Sequence, residues 1–232
     1  MKRREVVAAL ALGGILSACG DHSQSRSRPF RYKLKVDVDT PEGVRSGEGV
    51  IQVRWWQGSK QVFGTQASAG YSVVGEAVIV DLPGGRSLFV LLRSRSNPDW
   101  AAWAFKDIAP DLRNPTDIGK QEYTIPRMVE AAGGLTSNYP YFACFRDLAD
   151  PSSIEEVDPD NLEAAFGPGT RLRRISIKIT DENVTKGIES RLKWLGSTMG
   201  ALTDPSAFRE TPSGTPLPFS AGITAQDFIR GN

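Results

Sequence analysis

The sequence predicts an α+β fold, mainly antiparallel sheet built from hairpins with a few short helices. Three observations predict it. Apolar and polar residues alternate strictly in several segments that are joined by short Gly/Pro turns. Two further segments are nearly continuous apolar runs, the pattern of strands covered on both faces. No strand–helix–strand alternation of the kind a parallel sheet needs is present.

The elements follow in order. Phe30, Tyr32, Leu34, Val36 and Val38 alternate with Arg31, Lys33, Lys35, Asp37 and Asp39, giving a strand with one wet face. Thr40-Pro41-Glu42-Gly43 is a turn, because Pro pre-sets φ and Gly is free to take φ > 0. A second strand runs over about 44–56 and closes a hairpin. Gly47 and Gly49 within it mark a bulge or a close backbone approach. Residues 57–70 are expected as a polar loop. Tyr71 to Asp81 and Arg86 to Arg93 predict a second hairpin around Pro83-Gly84-Gly85.

Asn97-Pro98 then opens a short helix to about Ile108, with Trp100, Trp103 and Ala104 on one face. Residues 110–126 are turn-rich, and 127–132 are expected as one or two helical turns stopped by Gly133-Gly134. Tyr141 to Asp147 is a strand. Residues 159–166 are a helix capped by Asp158, and Leu172 to Thr180 is the last clear strand. Asp181 or Asn183 caps a helix through Leu195, striped by Val184, Ile188, Leu192 and Leu195. From 196 to 232 the Pro/Gly/Ser/Thr content predicts an irregular segment packed on the domain or trailing from it.

Composition narrows the chemistry. The 232 residues are 40% hydrophobic, enough for a packed core, so disorder of the whole chain is excluded. A net charge of +1 gives no footprint for nucleic acid. His22 is the only histidine, which removes the base of a Ser/His/Asp or Cys/His triad and any multi-His zinc site. No cofactor motif is present. Pro83-Gly84-Gly85 and Gly167-Pro168-Gly169 lack the Lys-Ser/Thr of a phosphate loop.

The N-terminus is organised differently. Lys2, Arg3 and Arg4 precede the apolar run Val6 to Leu16, which is too short for a comfortable membrane span. Leu16-Ser17-Ala18-Cys19 resembles the bacterial lipobox. The resemblance implies a signal peptide over 1–18, cleavage before Cys19, and acyl chains such as palmitate on that residue. It implies a lipoprotein held at the inner or the outer membrane and facing the periplasm. Several acyl chains anchor stably where one alone holds marginally. Arg3-Arg4 also leaves twin-arginine export open. Cleavage removes Lys2, Arg3, Arg4 and Glu5 from 28 basic and 27 acidic residues, leaving a net charge of −1. The lipid is therefore the expected membrane contact. Residues 19–29 form the anchor and a flexible tether, and 30–195 a single α+β domain.

The domain itself has a likeness. Tyr32-x-Leu34-x-Val36-x-Val38-x-Thr40-Pro41-Glu42-Gly43, then Phe145-Arg146-Asp147-Leu148, then Ile179-Thr180-Asp181 through Trp194-Leu195 are similar to a group of bacterial proteins of unknown function. The resemblance implies one domain and no activity.

Candidate sites are few. Trp55-Trp56 ends the second strand, where alternation puts one ring in the core and the other outside. An exposed Trp stacks on a sugar ring or anchors a protein partner. Glu155, Glu156, Asp158 and Asp160, then Asp181 and Glu182, are two acidic clusters. Paired carboxylates serve glycoside hydrolysis, and clustered ones hold Ca²⁺. Asp158 and Asp181 also read as helix caps. Cys144 lies in an apolar strand, where a lone thiol is a small buried hydrophobe. The expected function is a membrane-anchored envelope lipoprotein, a binding or assembly module that engages an envelope protein or glycan without catalysis. A carboxylate-dependent envelope hydrolase acting on glycans is the alternative.

Overall fold

A computed structural model describes residues 25–26, 28–62, 65–106, 118–131, 134–198, 200–203 and 215–231. The segment read as an export signal, with Cys19 and His22, lies outside the described residues. Antiparallel strands dominate, with a few short helices.

The chain order is β1 (Ser25–Arg26), β2 (Phe30–Thr40), β3 (Gly43–Val62), β4 (Thr65–Glu76), β5 (Val78–Asp81), β6 (Ser87–Ser94) and α1 (Trp100–Trp103). Then come β7 (Tyr123–Thr124), β8 (Met128–Ala131), β9 (Gly134–Ser137), β10 (Pro140–Phe145), β11 (Ile154–Val157) and α2 (Leu162–Phe166). β12 (Arg171–Ile179), α3 (Ile188–Arg191) and β13 (Ile229–Arg230) complete it. One sheet runs β13-β4-β3-β2-β12-β7, with β1 added on β3. A four-stranded sheet runs β11-β10-β6-β5, and β8-β9 pair only with each other.

The alternation of β2 works as its sequence requires. Tyr32, Leu34, Val36 and Val38 are fully buried, while Arg31, Lys33 and Lys35 line the wet face. Ile51 and Val53 of β3 and Ile175 and Ile177 of β12 extend the same apolar face. It packs on Val78, Val80, Leu88, Val90 and Phe142 from the four-stranded sheet. Tyr32 is fully buried, so its hydroxyl donates to the Ala101 carbonyl at 2.7 Å, and burial pushes its pKa far above the ordinary range.

The four-stranded sheet has apolar side chains on both faces, as the continuous runs of β5 and β6 require. Its outer face (Phe89, Leu91, Ala143, Phe145) forms a second core with Ile188, Leu192, Leu195, Ile223 and Phe228. The molecule is therefore layered: a sheet with one wet face, a fully covered sheet, and a cover of short helices.

Gly47 shows why the sheets fit. A Cβ there would sit 2.2 Å from the Ile79 carbonyl oxygen, so only glycine lets β3 pass under β5. This is the close backbone approach expected at Gly47, whereas Gly49 faces a Val78 methyl instead.

Several expectations are corrected. Residues 57–62 and 65–70 continue β3 and β4 as a long hairpin instead of a loop. The predicted strand 71–81 is two strands: β4 pairs with β3, and after Glu76 the chain crosses to the other sheet as β5. Residues 128–131 are a strand and not helical turns, because pairing with β9 overrides the helix preference of Met, Glu and Ala. The helix opened by Asn97-Pro98 is a single turn, Trp100–Trp103. The helix expected through Leu195 shrinks to Ile188–Arg191. β11 was hidden in an acidic segment whose pattern is not apolar. Ser25–Arg26 are not free tether, since they pair with Gln57 and Trp56. Ile229–Arg230 likewise join the larger sheet beside Gly75 and Glu76.

Candidate functional site

Two adjoining open clefts, about 470 and 550 Å³, meet at Arg127, Tyr139 and Pro159. The loop between β9 and β10 builds their shared wall. Asn138 N–H donates to the Arg127 carbonyl at 3.0 Å and closes the base of the β8–β9 hairpin. Tyr139 follows directly, its ring parallel to that of buried Phe142 at 6.4 Å between centroids. The pairing of β10 with β6 shifts register between Pro140 and Phe142. Such a bulge re-aims side chains, and it falls at Tyr141, a ring of the first cleft.

Each tyrosine carries a guanidinium. Arg127 lies 5.2 Å over Tyr139, and Arg95 lies 5.6 Å over Tyr141, which Arg93 also approaches at 5.7 Å. Each of the two rim arginines is in turn held by a carboxylate. Arg127 donates from Nε and Nη2 to the two oxygens of Asp160 at 3.2 and 2.9 Å, and from Nη1 to Ser137 Oγ. Arg95 Nη2 lies 2.5 Å from Glu156 Oε1. The hydrogen bonds from Arg127 hold the Asp160 carboxyl below its usual range. Burial lifts the Tyr139 hydroxyl above its ordinary value.

The charge of the clefts balances. Arg95, Arg127, Arg171 and Arg173 face Glu156, Asp158, Asp160 and Glu163. Arg171 pairs with Glu163 at 3.2 Å, and Arg173 with Asp39 at 2.7 Å. The surface therefore offers a dense set of donors and acceptors with no excess charge.

The structure brings part of the first acidic cluster here: Glu156 and Asp158 line one cleft, Asp160 the other. It does not bring the rest. Glu155 pairs with Arg146 at 3.0 Å, Glu182 with Lys33 at 2.8 Å, and Asp181 with Lys120. The capping roles are corrected. Asn161 precedes α2, and Asp158 accepts the Asp160 N–H at 2.9 Å within a turn. Neither Asp181 nor Asn183 precedes α3, which begins after Gly187.

Trp55 and Trp56 lie elsewhere, and both are half-buried instead of one in and one out. Trp55 packs on Trp103 and Tyr71 at 4.5 and 5.1 Å. Trp56 lies across Gly70 of β4, where an added Cβ would come within 2.4 Å of its ring. Cys144 is buried in the inner core, and burial pushes its thiol up. Among the described residues, no group of three or more His, Cys, Asp or Glu is placed to hold a metal ion. Among them, no helix is long and apolar enough to cross a membrane.

Sequence reasoning missed Tyr139, Tyr141, Arg95 and Arg127. The Tyr-Pro-Tyr triplet was a visible signal, whereas the pairing of Arg95 with a ring on another strand left no local trace. The chain matches no protein family, no curated protein and no solved structure.

Proposed function

We propose that the chain is a lipid-anchored binding module of the bacterial envelope, held by acyl chains on Cys19 and facing the periplasm, with an α+β domain that binds glycan in the double cleft. The observation that carries this is the charge-balanced wall of stacked tyrosines, guanidiniums and carboxylates. A polyhydroxy chain has no net charge and many donors and acceptors, so it matches such a wall better than an anion or a cation does. Planar groups held on aromatic rings are pre-organised, which limits the ordering cost of binding.

The hydrolase reading has less support. Glycoside hydrolysis needs one carboxyl kept protonated by a raised pKa. Asp160 is held low by Arg127, and Glu156 is engaged by Arg95.

The test is co-sedimentation of the full chain with purified cell-wall glycan. Arg95→Ala and Arg127→Ala should each weaken binding about tenfold, the loss of roughly one charge-assisted hydrogen bond. Unchanged binding in both variants sinks the cleft as the binding site. Release of new reducing ends by the native chain would revive the hydrolase.

A further inference from the structure

The short strand β1 bears on how such a module stands on its membrane. Ser25 pairs with Gln57 and Arg26 with Trp56, antiparallel, so the N-terminal end of β1 points along β3 toward Val62. Cys19 is six residues from Ser25, and six residues of any conformation span at most about 20 Å. A lipid on Cys19 therefore keeps the bilayer close to this end of β3.

The second cleft lies at the other end of the same sheet. Phe30, at the start of β2, is opposite Val53, a few residues from Trp56. Asp39, at the far end of β2, is opposite Arg171, which lines the second cleft. Nine residues of extended strand separate Phe30 from Asp39, a run of roughly 30 Å. The anchored end also carries the aromatic group Trp55, Tyr71 and Trp103, with half-buried Trp56 beside it. Indole and phenol rings, apolar in body and polar at one tip, suit the headgroup layer of a bilayer.

We infer that the domain stands upright on the bilayer, with the β3–β4 hairpin and Trp56 against the lipid headgroups and the second cleft directed away from the membrane. The inference rests on the lipid-anchor reading. It identifies the lipid surface as the partner of Trp56, and it lets the cleft reach a ligand that is not itself in the membrane.

Fluorescence energy transfer tests it on the full, lipidated chain in phosphatidylethanolamine/phosphatidylglycerol vesicles with an acceptor on the headgroups. Cys144 is buried, so a single dye can be placed at Ser72→Cys, beside β3, or at Glu42→Cys, on the β2–β3 turn. Transfer from position 72 should exceed that from position 42 several-fold, and Trp56→Ser should reduce the difference. Equal transfer, or more from position 42, on vesicle-bound chain overturns the orientation and leaves the anchor standing. Undiminished vesicle binding by Cys19→Ser overturns the anchor reading, and the orientation argued from it falls too.

Discussion

The carboxylate of Glu76 accepts the backbone N–H of Ile188 at 2.8 Å and that of Gly187 at 3.0 Å, joining residues more than a hundred positions apart. Glu76 stands where the chain leaves the larger sheet, and Gly187–Ile188 begin α3. A helix start has N–H groups with no internal partner, and here a buried side chain from another layer supplies the acceptor. Glu76→Ala should therefore cost about 2–3 kcal/mol, the penalty for leaving buried donors unsatisfied. Glu76→Gln keeps one acceptor and should cost less. Urea unfolding measures both, and hydrogen exchange at the Ile188 amide should quicken before the rest of the core. An Ala variant as stable as the native chain would show that water replaces the carboxylate.

Gly47 predicts a contrast. Alanine there places a methyl 2.2 Å from a backbone oxygen of β5, which only a shift of one sheet against the other relieves. Gly49→Ala meets a movable Val78 methyl at 3.1 Å. Overpacking of the first kind costs about 1–3 kcal/mol or more, and the second should cost clearly less. Melting temperatures of the two variants decide it; equal losses would mean the contact with Ile79 is not what selects glycine.

Asp37 predicts the acid response. Burial by itself raises its carboxyl. Hydrogen bonds from Ser46 at 2.6 Å, and from Lys35 and Arg174 at 3.2 Å each, outweigh that and hold it below its ordinary 3.8. A carboxyl lowered by folding adds stability that is present above its unfolded value and is lost as pH falls through the folded one. Asp37→Asn should thus be about 1–3 kcal/mol less stable than the native chain at pH 6, with the gap narrowing toward pH 3. A gap that widens on acidification would reverse the sign of the argument.

Cys144 predicts a silent thiol. It sits in the inner core on β10, and burial raises its pKa, so little thiolate forms at neutral pH. An aromatic disulfide reagent should leave it unreacted in the folded chain and modify it fully in denaturant. Rapid reaction without unfolding would point to an opening of the cleft-side strand.

What the sequence disclosed depended on burial pattern. β2 and β12 were legible because one face is wet and one dry, and the alternation records both. The runs of β5 and β6 were legible because both faces are covered. Residues 57–62 and 65–70 were not, since their mixed polar and Gly/Ala/Ser sequence carries no apolar period. The stripe Val184-Ile188-Leu192-Leu195 has helical spacing, yet of the three buried in the second core only Ile188 lies in a helix, and Leu192 and Leu195 reach it from turns beyond α3. Burial selects apolar residues whatever path the backbone takes. The rim of the cleft was least legible. Arg95 and Tyr141, or Arg127 and Asp160, meet only after three separate hairpins are in place.

The C-terminal segment gives the last prediction. Its composition is that of a surface wrap, yet Phe228 is fully buried, packed on Phe89, Phe145 and Trp194 at 5.7–6.1 Å between centroids. Its carbonyl accepts the Ala77 N–H at 2.7 Å, at the crossing between the two sheets. The turn before it is fixed by a reciprocal cap between Thr224 and Asp227, whose carboxylate also pairs with Arg93 at 3.4 Å. The segment therefore seals the second core. Phe228→Ala should lose about 3–5 kcal/mol, as other buried aromatic deletions do. Deleting residues 218–232 should expose Phe89 and Phe145 and raise binding of a hydrophobic dye. A truncated chain that unfolds at the native urea concentration and binds no dye would return the segment to the status of a tail.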